Sequence, residues 1–144
     1  MTKAVQSSLE SQTALIIGGS SGIGLATAKR AQAAGATVTI LGLEKDRTRQ
    51  VAEENGFDDW RAADVTNGDS VQGALKNIPH VDHLAFFAGT FVAGKVLGAD
   101  MSHLRRAFEE RIWASLQAIR ALGDRLAADG SINYPRVGMA RAAS

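Results

Sequence analysis

Short apolar runs alternate with longer, more polar stretches along this chain of 144 residues. Most of the runs are rich in Val, Ile, Leu or Ala and are too short for helices, so they predict strands buried in a sheet. The first run ends in a glycine cluster. Five strands are predicted in this way, over residues 14–17, 36–41, 60–63, 82–89 and 130–134.

The stretches between the runs predict four helices, over residues 22–34, 44–55, 68–78 and 101–128. Gly35 and Gly56 follow the first two helices and are expected to end them. Asp69 or Ser70 is expected to cap the third helix, and Pro79 is expected to stop it. Apolar residues of the fourth helix recur every three or four positions and define one helical face: Leu104, Phe108, Ile112, Leu116, Ile119 and Leu122.

Strands that alternate with helices through short connections predict an α/β fold, because parallel neighbours need a helical crossover. We therefore expect a parallel sheet of about five strands with helices on both faces. The expected domain covers residues 13–134, after a polar lead-in over residues 1–12 and before an irregular tail over residues 135–144.

The glycine cluster follows the pattern G-x-x-x-G-x-G, with Gly18, Gly22 and Gly24 at the junction of the first strand and the first helix. Glycine at such a turn lets the backbone approach a pyrophosphate, and the free N–H groups at the helix start face the anion. The hydroxyl groups of Ser20 and Ser21 can donate to phosphate or ribose oxygens. The pattern predicts a Rossmann-type, doubly wound nucleotide-binding sheet, with a glycine-rich turn that binds nothing as the alternative.

Two other phosphate-binding motifs do not fit this turn. A P-loop requires Lys after its second conserved glycine, but Leu25 follows Gly24. The G-x-G-x-x-G form of the dinucleotide motif requires glycine at position 20, which is occupied by Ser20.

The segment ALIIGGSSGIGLATAKRAQAAGATVTILG resembles the opening of the short-chain dehydrogenase/reductase family, which carries T-G-x-x-x-G-I-G at this place. Ile17 replaces the threonine of that motif. Four residues match it: Gly18, Gly22, Ile23 and Gly24.

Two further motifs of the family have counterparts after the third and fourth strands: Asp64-Val65-Thr66 for its D-V-T segment, and Ala88-Gly89 for the end of its N-N-A-G motif. In the family, the Asp of D-V-T contacts the adenine. Phe86 and Phe87 stand where the two asparagines of N-N-A-G would be. The resemblance extends over residues 12–132 and is specific, because three motifs occur in the right order on the right elements.

The resemblance implies hydride transfer between a nicotinamide cofactor and an alcohol or ketone. It also implies a bound dinucleotide, NAD or NADP. The cofactor-binding residues that it indicates are Gly18, Ser20, Ser21, Gly22, Ile23, Gly24, Leu43, Asp64, Val65, Ala88 and Gly89.

The choice between NAD and NADP depends on the residues after the second strand, where an acidic group favours NAD and Arg favours NADP. Glu44 lies twenty residues past Gly24, about where the acidic partner is expected. Lys45 and Arg47 could serve a 2′-phosphate instead. The family alignment, however, assigns the choice to residues 42–43, which are neither acidic nor basic, so both cofactors remain possible.

The catalytic set of the family is Asn, Ser, Tyr and Lys, the last two spaced as Y-x-x-x-K. The asparagine position falls near Arg111, which we interpret as a surface or loop-anchoring cation, and the serine position falls near Val137. Tyr134 is the single tyrosine, and Gly138 rather than Lys follows it by four residues. We therefore assign no catalytic residue and expect this chain to be inactive, with a non-catalytic nucleotide-binding or dimer-partner module as the alternative.

The resemblance also implies another crossover helix and further strands after the fifth, so we expect a truncated or out-of-frame product. The fifth strand would then be an exposed edge, and the long helix over residues 101–128 would expose one apolar face. Exposed edges and apolar patches favour association, so marginal stability or a homo-oligomer through this helix is expected.

Composition restricts the remaining function classes. The net charge is +1 without long basic runs, and no apolar run approaches the ~20 residues that span a bilayer, so neither nucleic acid nor membrane is expected as a partner. The chain has no cysteine, and its polar start, MTKAVQSSLESQT, favours a cytoplasmic protein. His80, His83 and His103 lack metal-ligand spacing and are expected at the surface, with no metal.

Overall fold

The computed structural model describes residues 8–88 and 96–134, which form one five-stranded sheet flanked by helices. Every pair of neighbouring strands is parallel, and the strand order is β3-β2-β1-β4-β5. The fold is therefore the predicted incomplete Rossmann-type α/β sheet. Its strands are β1 (Thr13–Ile17), β2 (Thr37–Gly42), β3 (Asp59–Ala62), β4 (Val81–Phe86) and β5 (Leu126–Asn133).

Five α-helices connect or follow these strands in the described ranges. They are α1 (Gly22–Ala33), α2 (Lys45–Asn55), α3 (Gly68–Leu75), α4 (Met101–Phe108) and α5 (Ala114–Leu122). A π-helical segment, Glu109–Trp113, joins α4 to α5 without a break in the backbone path. Gly56 ends α2 with a left-handed conformation, φ +66°, as predicted.

The prediction of one helix over residues 101–128 is wrong at its C-terminal end. The helix stops at Leu122, because Gly123 takes a positive φ of +56° that a right-handed helix does not accommodate. A short 3₁₀ turn over Gly123–Arg125 follows, and Leu126 already pairs with Val81 in the sheet. Strand β5 therefore begins four residues earlier than residue 130.

The prediction for α3 is right about its start at Gly68 but wrong about its cap and its end. Its N-cap is Asn67, whose side-chain oxygen accepts from the N–H groups of Asp69 and Ser70 at 3.1 Å each. Those two residues lie inside the first turn and are not the cap. The helix ends at Leu75, before Pro79, and the N–H of Ile78 donates to the Leu75 carbonyl at 3.2 Å. Strand β4 likewise ends at Phe86, three residues before its predicted end.

Apolar side chains cover both faces of the sheet. On one face, α3 and α5 pack against β1 and β4 through a cluster that includes Leu15, Leu84, Leu75, Ala118 and Leu122. On the other face, α1 and α2 pack against β1 and β2 through a cluster that includes Ile16, Val38, Ile40, Ala28 and Ala52. Because the strands are parallel, the carboxyl ends of β1 to β4 lie at the same end of the sheet.

The predicted apolar face of the long helix does not point uniformly toward the sheet. Leu122 is buried, but Phe108, Ile112 and Leu116 are 59%, 46% and 44% exposed. The predicted exposed face of the helix is therefore present. The predicted exposed edge strand is present too, because β5 is the last strand of the sheet and its Ile132 is exposed. The sheet-facing positions belong instead to the small residues Ala114 and Ala118.

Polar side chains connect the amino-terminal ends of the strands. The N–H of Thr13 donates to Asp82 Oδ2 at 2.8 Å. The ring of His83 bridges β5 and the residue before β1, with Nδ1 2.7 Å from Ser131 Oγ and Nε2 2.5 Å from Gln12 Oε1. The ring of His83, which was predicted at the surface, is half-buried.

Within residues 8–88 and 96–134, no helix has the length and apolar character needed to cross a membrane. The same ranges contain no cluster of three His, Cys, Asp or Glu side chains that could hold a metal ion.

Candidate functional site

The turn after β1 packs directly against the chain that leaves β4. Gly18 has φ +83°, and a Cβ atom added there would lie 2.6 Å from the Ala88 nitrogen and 2.7 Å from the Phe87 carbonyl carbon. Its N–H donates to the Leu41 carbonyl at 2.8 Å, which ties the turn to the end of β2. Only glycine satisfies both the positive φ and this backbone approach.

A second close approach fixes the start of α1 over the turn. Gly24 is buried, and a Cβ atom there would overlap the carbonyl oxygen of Gly18. Ser20 lies against Gly42, since a Cβ on that glycine would come within 3.0 Å of the Ser20 hydroxyl oxygen. The turn is thus a compact cradle at the carboxyl ends of β1, β2 and β4.

Helix α1 begins at this cradle. Ser21 is the N-cap, with φ −160° and ψ 167°, and its side chain makes no capping hydrogen bond in the described part of the chain. Gly22, at φ +56°, begins the helix, and its α-carbon faces open space. The orphan N–H groups and positive end of a helix favour an anion, so this turn can hold a phosphate.

A carboxylate lies beside the end of β3. Asp64 is exposed, and its Oδ1 accepts from the Thr66 hydroxyl at 2.6 Å and from the Thr66 N–H at 3.0 Å. These two hydrogen bonds are the main causes of a lowered pKa of Asp64; burial raises it by less, and the positive charge of Arg106 makes the smallest contribution to lowering it. Asp64 is therefore an ionised hydrogen-bond acceptor at neutral pH. Val65 is half-buried and packs against the sheet cluster.

Two large apolar side chains are exposed at the same edge of the sheet. Ile23, in the first turn of α1, is 68% exposed, and Leu43, directly after β2, is 71% exposed. Glu44 follows as the N-cap of α2 and uses its backbone carbonyl, not its side chain, to accept from Thr48. Exposed apolar surface beside a phosphate cradle suits a flat apolar ligand group.

The structure brings most of the sequence-predicted residues to one edge. Gly18, Gly24 and Ala88 touch or nearly touch, Ser20 packs on Gly42, and the remaining ones follow the ends of neighbouring strands. Gly89, also predicted, lies outside the described residues.

A cavity of about 500 Å³ opens beside this cradle, between the end of β4 and the long helix. Most of its lining is apolar, and three polar residues contribute to the wall. It is lined by Phe86, Phe87, Ala88, Ala107, Phe108, Arg111, Ile112, Ser115, Leu116 and Tyr134. Sequence reasoning missed this cavity, although the exposed half of the predicted helix face forms one wall.

Tyr134 stands at the mouth of the cavity, one residue after β5. Its hydroxyl donates to Ser115 Oγ at 3.3 Å, and its ring centroid lies 6.5 Å from that of Phe86. Arg111, in the π-helical segment, lines the same cavity. A tyrosine, a serine and a cation thus share one wall, while Val137 and Gly138 lie outside the described residues.

A parallel sheet in the order 3-2-1-4-5, with a tight glycine turn at the end of its first strand, defines a Rossmann-type nucleotide-binding class of fold. Residues 12–132 match the family model described as short chain dehydrogenase. The chain belongs to the short-chain dehydrogenase family.

Similar proteins include several with named activities. The chain is 36% identical over 121 residues to 5′-hydroxyaverantin dehydrogenase of Dothistroma septosporum, and 35% identical over 116 residues to 3-hydroxyacyl-CoA dehydrogenase type-2 of Bos taurus. Each match covers 76% of this chain. A solved short chain dehydrogenase from Burkholderia cenocepacia in complex with NADP superimposes with a TM-score of 0.76 at 28% identity over 88% of this chain.

The chain spans only part of these proteins. It covers 39% of the Dothistroma enzyme, 44% of the bovine enzyme and 55% of the Burkholderia structure.

Proposed function

We propose that this chain binds a nicotinamide dinucleotide, NAD or NADP, with the pyrophosphate on the glycine turn over residues 18–24. The observation that carries this proposal is the close packing of Gly18 on the backbone of Ala88, where an added Cβ atom would lie only 2.6 Å from the Ala88 nitrogen. The helix that follows begins at Ser21, whose side chain makes no capping hydrogen bond among the described residues. The turn is too tight for side chains at Gly18 and Gly24, and the backbone N–H groups at the start of α1 suit an anion. The NADP-bound Burkholderia relative supports the same ligand class.

The adenosine end of the dinucleotide would lie toward β2 and β3. Asp64 supplies an ionised acceptor there for an amino group, while Ile23 and Leu43 supply exposed apolar surface. Leu43 is uncharged, so it favours neither the ribose hydroxyl of NAD nor the 2′-phosphate of NADP. Glu44, Lys45 and Arg47 are all exposed nearby and offer both signs of charge, so the proposal covers both cofactors.

The chain is proposed to bind the cofactor without transferring hydride. A phenol is a useful acid or base at neutral pH only when a cation stabilises its phenolate, and the residue four positions after Tyr134, the single tyrosine, is Gly138 rather than Lys. A panel of ketones with NADPH and NADH should give no turnover. Turnover that disappears in Tyr134→Phe would contradict this part of the proposal and would assign the reaction to the cavity wall.

A charge placed at the start of α1 tests cofactor binding. Ser21→Asp keeps a good N-cap residue but sets a carboxylate where the pyrophosphate would lie. We expect the affinity for NADH and NADPH, measured by fluorescence titration, to fall at least about tenfold, with Tm unchanged or raised. Asn77→Asp, at an exposed position between α3 and the amino-terminal end of β4, is the control that adds the same charge away from the turn and should leave affinity unchanged.

Binding of neither coenzyme by folded wild-type protein would overturn the proposal. Equal affinity in wild-type and Ser21→Asp protein would also overturn it, because the anion would then bind elsewhere.

A second role, as a non-catalytic partner module, is favoured by the exposed apolar stripe of Phe108, Ile112 and Leu116. Apolar patches of this kind mark association surfaces in proteins. Sedimentation velocity over a range of concentrations tests this role, because a monomer at every concentration would contradict it.

A further inference from the structure

The carboxyl end of β2 is closed to any side chain at position 42. Gly42 is the last residue of β2 and is buried. A Cβ atom added to it would overlap Thr48 Oγ1 and would lie 3.0 Å from Ser20 Oγ and 3.3 Å from Ser20 Cβ. Dinucleotide-binding sheets that favour NAD present an acidic side chain to the ribose 2′-hydroxyl group in this stretch, about twenty residues past the glycine turn. Residue 42 has no room for such a side chain.

Thr48, at the start of α2, is the side chain that closes this position. It is 0% exposed although threonine is polar. Its hydroxyl donates to the Glu44 carbonyl at 2.6 Å, and its N–H donates to the same oxygen at 2.9 Å. To make room for a side chain at Gly42, the hydroxyl would have to leave this hydrogen bond and move into packed surroundings. Thr48 therefore holds the space that an acidic side chain at residue 42 would need.

Ser20 supplies the polar group that remains at this place. Its hydroxyl lies beside Gly42 and is half-buried, and no hydrogen bond engages it within the described part of the chain. A hydroxyl both donates and accepts, so it can accept from a ribose hydroxyl or donate to a phosphate. A carboxylate only accepts, and it would repel the 2′-phosphate of NADP. The closed position thus excludes the group that would disfavour NADP.

Two acidic residues follow a few positions further along the chain. Asp46 forms an ion pair with Arg49, with 3.6 Å between Oδ1 and the guanidinium nitrogen. Glu44 is exposed, and its side chain makes no capping hydrogen bond on α2 in the described ranges. Lys45 and Arg47 alternate with these two acidic residues, so residues 44–47 carry no net negative charge. Glu44 is therefore the acidic side chain whose contribution has to be measured.

We propose that Thr48, by closing residue 42, sets the cofactor choice of this site: the adenosine ribose meets the Ser20 hydroxyl, and NADPH binds at least as tightly as NADH. This inference rests on the proposed function and adds to it the residue that determines which cofactor is favoured. Thr48 is a positioning residue, because its buried side chain acts through the space that it takes from residue 42 and not by touching the cofactor.

Thermal unfolding measures the steric coupling between residues 42 and 48. The proteins compared are wild type, Gly42→Ala, Thr48→Ala and the variant that combines both substitutions. Gly42→Ala should lower Tm by at least about 4 °C in the wild-type background, and by clearly less when Thr48→Ala has removed the overlapping hydroxyl. Equal losses in the two backgrounds would overturn the closure of residue 42 by Thr48.

Fluorescence titration with NADH and NADPH measures the consequence for binding, which a merely structural role of Thr48 would not alter. Thr48→Ala alone adds no charge and should keep the wild-type ratio of the two affinities. Gly42→Asp combined with Thr48→Ala should weaken NADPH relative to NADH at least about tenfold, because the new carboxylate repels the 2′-phosphate. Ser20→Ala should weaken NADPH about three- to tenfold.

Glu44→Gln tests the remaining acidic residue and should leave the ratio of affinities unchanged. A selective loss of NADH affinity in this variant would overturn the inference, as would tighter binding of NADH than of NADPH by wild-type protein. Gly42→Asp alone that unfolds at the wild-type Tm and prefers NADH would also overturn it. In these three cases the proposed function stands. Failure of folded wild-type protein to bind either coenzyme would overturn the proposed function and this inference together.

Discussion

The α-carbon of Gly18 faces the backbone of Ala88 so closely that an added Cβ would lie 2.6 Å from the Ala88 nitrogen. This contact joins the turn after β1 to the chain leaving β4, and it holds both at the mouth of the candidate site. Backbone, unlike the end of a flexible side chain, cannot move aside cheaply, so the contact fixes the residue type.

Gly18→Ala should lower the free energy of unfolding by about 2 kcal/mol or more, because it combines a positive φ with a steric clash. Urea denaturation followed by circular dichroism measures this loss. Gly73→Ala is the control, since Gly73 lies inside α3 with no atom within 4 Å of its added Cβ. That control should be neutral or stabilising by about 0.5–1 kcal/mol, and similar losses in both variants would contradict the strain argument.

A single side chain, Arg125, holds the C-terminal ends of two helices. Its guanidinium donates to the carbonyls of Leu75 and Ile78 near the end of α3, at 2.6 and 2.8 Å, and to those of Ala121 and Leu122 near the end of α5, at 2.6 and 3.2 Å. These carbonyls have few other partners at a helix end.

Arg125→Ala should therefore cost about 2–3 kcal/mol of folding free energy, because the part-buried carbonyls of Ile78, Ala121 and Leu122 lose a charged donor. Arg120→Ala, which removes an exposed cation of α5, should change stability by less than about 0.5 kcal/mol. Chemical denaturation of the two variants decides this, and equal midpoints would show that water replaces the guanidinium at no cost.

The exposed stripe of Phe108, Ile112 and Leu116 should make the protein self-associate at micromolar concentration. Leu116→Lys should shift the sedimentation profile toward monomer, because a charge buried in an apolar interface loses its hydration. Leu97→Lys is the control, since Leu97 is fully exposed away from the stripe. If the two variants sediment alike, the stripe is not the contact surface.

Acid should destabilise the protein in part through Asp82. Its pKa is lowered, first by the N–H of Thr13 and then by the hydrogen bond with His80. A carboxylate with a depressed pKa in the folded state adds stability above its unfolded pKa of about 3.9, and this contribution is lost as pH falls through the folded value.

The free energy of unfolding should consequently decrease from about pH 5 downward, and Asp82→Asn should flatten that decrease. Stability curves at several pH values test this. Asp46→Asn, on the exposed surface of α2, removes a similar charge and should leave the slope of the wild type. An unchanged slope in Asp82→Asn would contradict the assignment.

The order of the elements could be predicted from the sequence because each buried strand is a short apolar run and each helix between them is more polar. The turn could also be predicted, because the spacing of Gly18, Gly22 and Gly24 reflects the backbone geometry of the turn. The structure bears out the parallel α/β sheet and the exposed edge at β5. Local rules were sufficient for all of these features.

Features that depend on tertiary contacts could not be predicted in this way. The long helix was expected to continue to residue 128, but Gly123 and the carbonyl contacts of Arg125 end it at Leu122. Glu110 lies on the sheet-facing side although charged residues usually face solvent, and nothing in its spacing identified Arg106 as its partner. The cavity beside Tyr134 arises from the packing of three separate elements.

Amide resonances in a ¹H–¹⁵N spectrum, recorded while NADH is added, test the central claim most directly. We expect the largest shifts at the N–H groups of Gly22, Ile23 and Gly24, with smaller ones near Asp64, because the first three would donate to the pyrophosphate. Saturable binding that leaves these amides unmoved, or no shifts at all in folded protein, would contradict a dinucleotide site at the glycine turn.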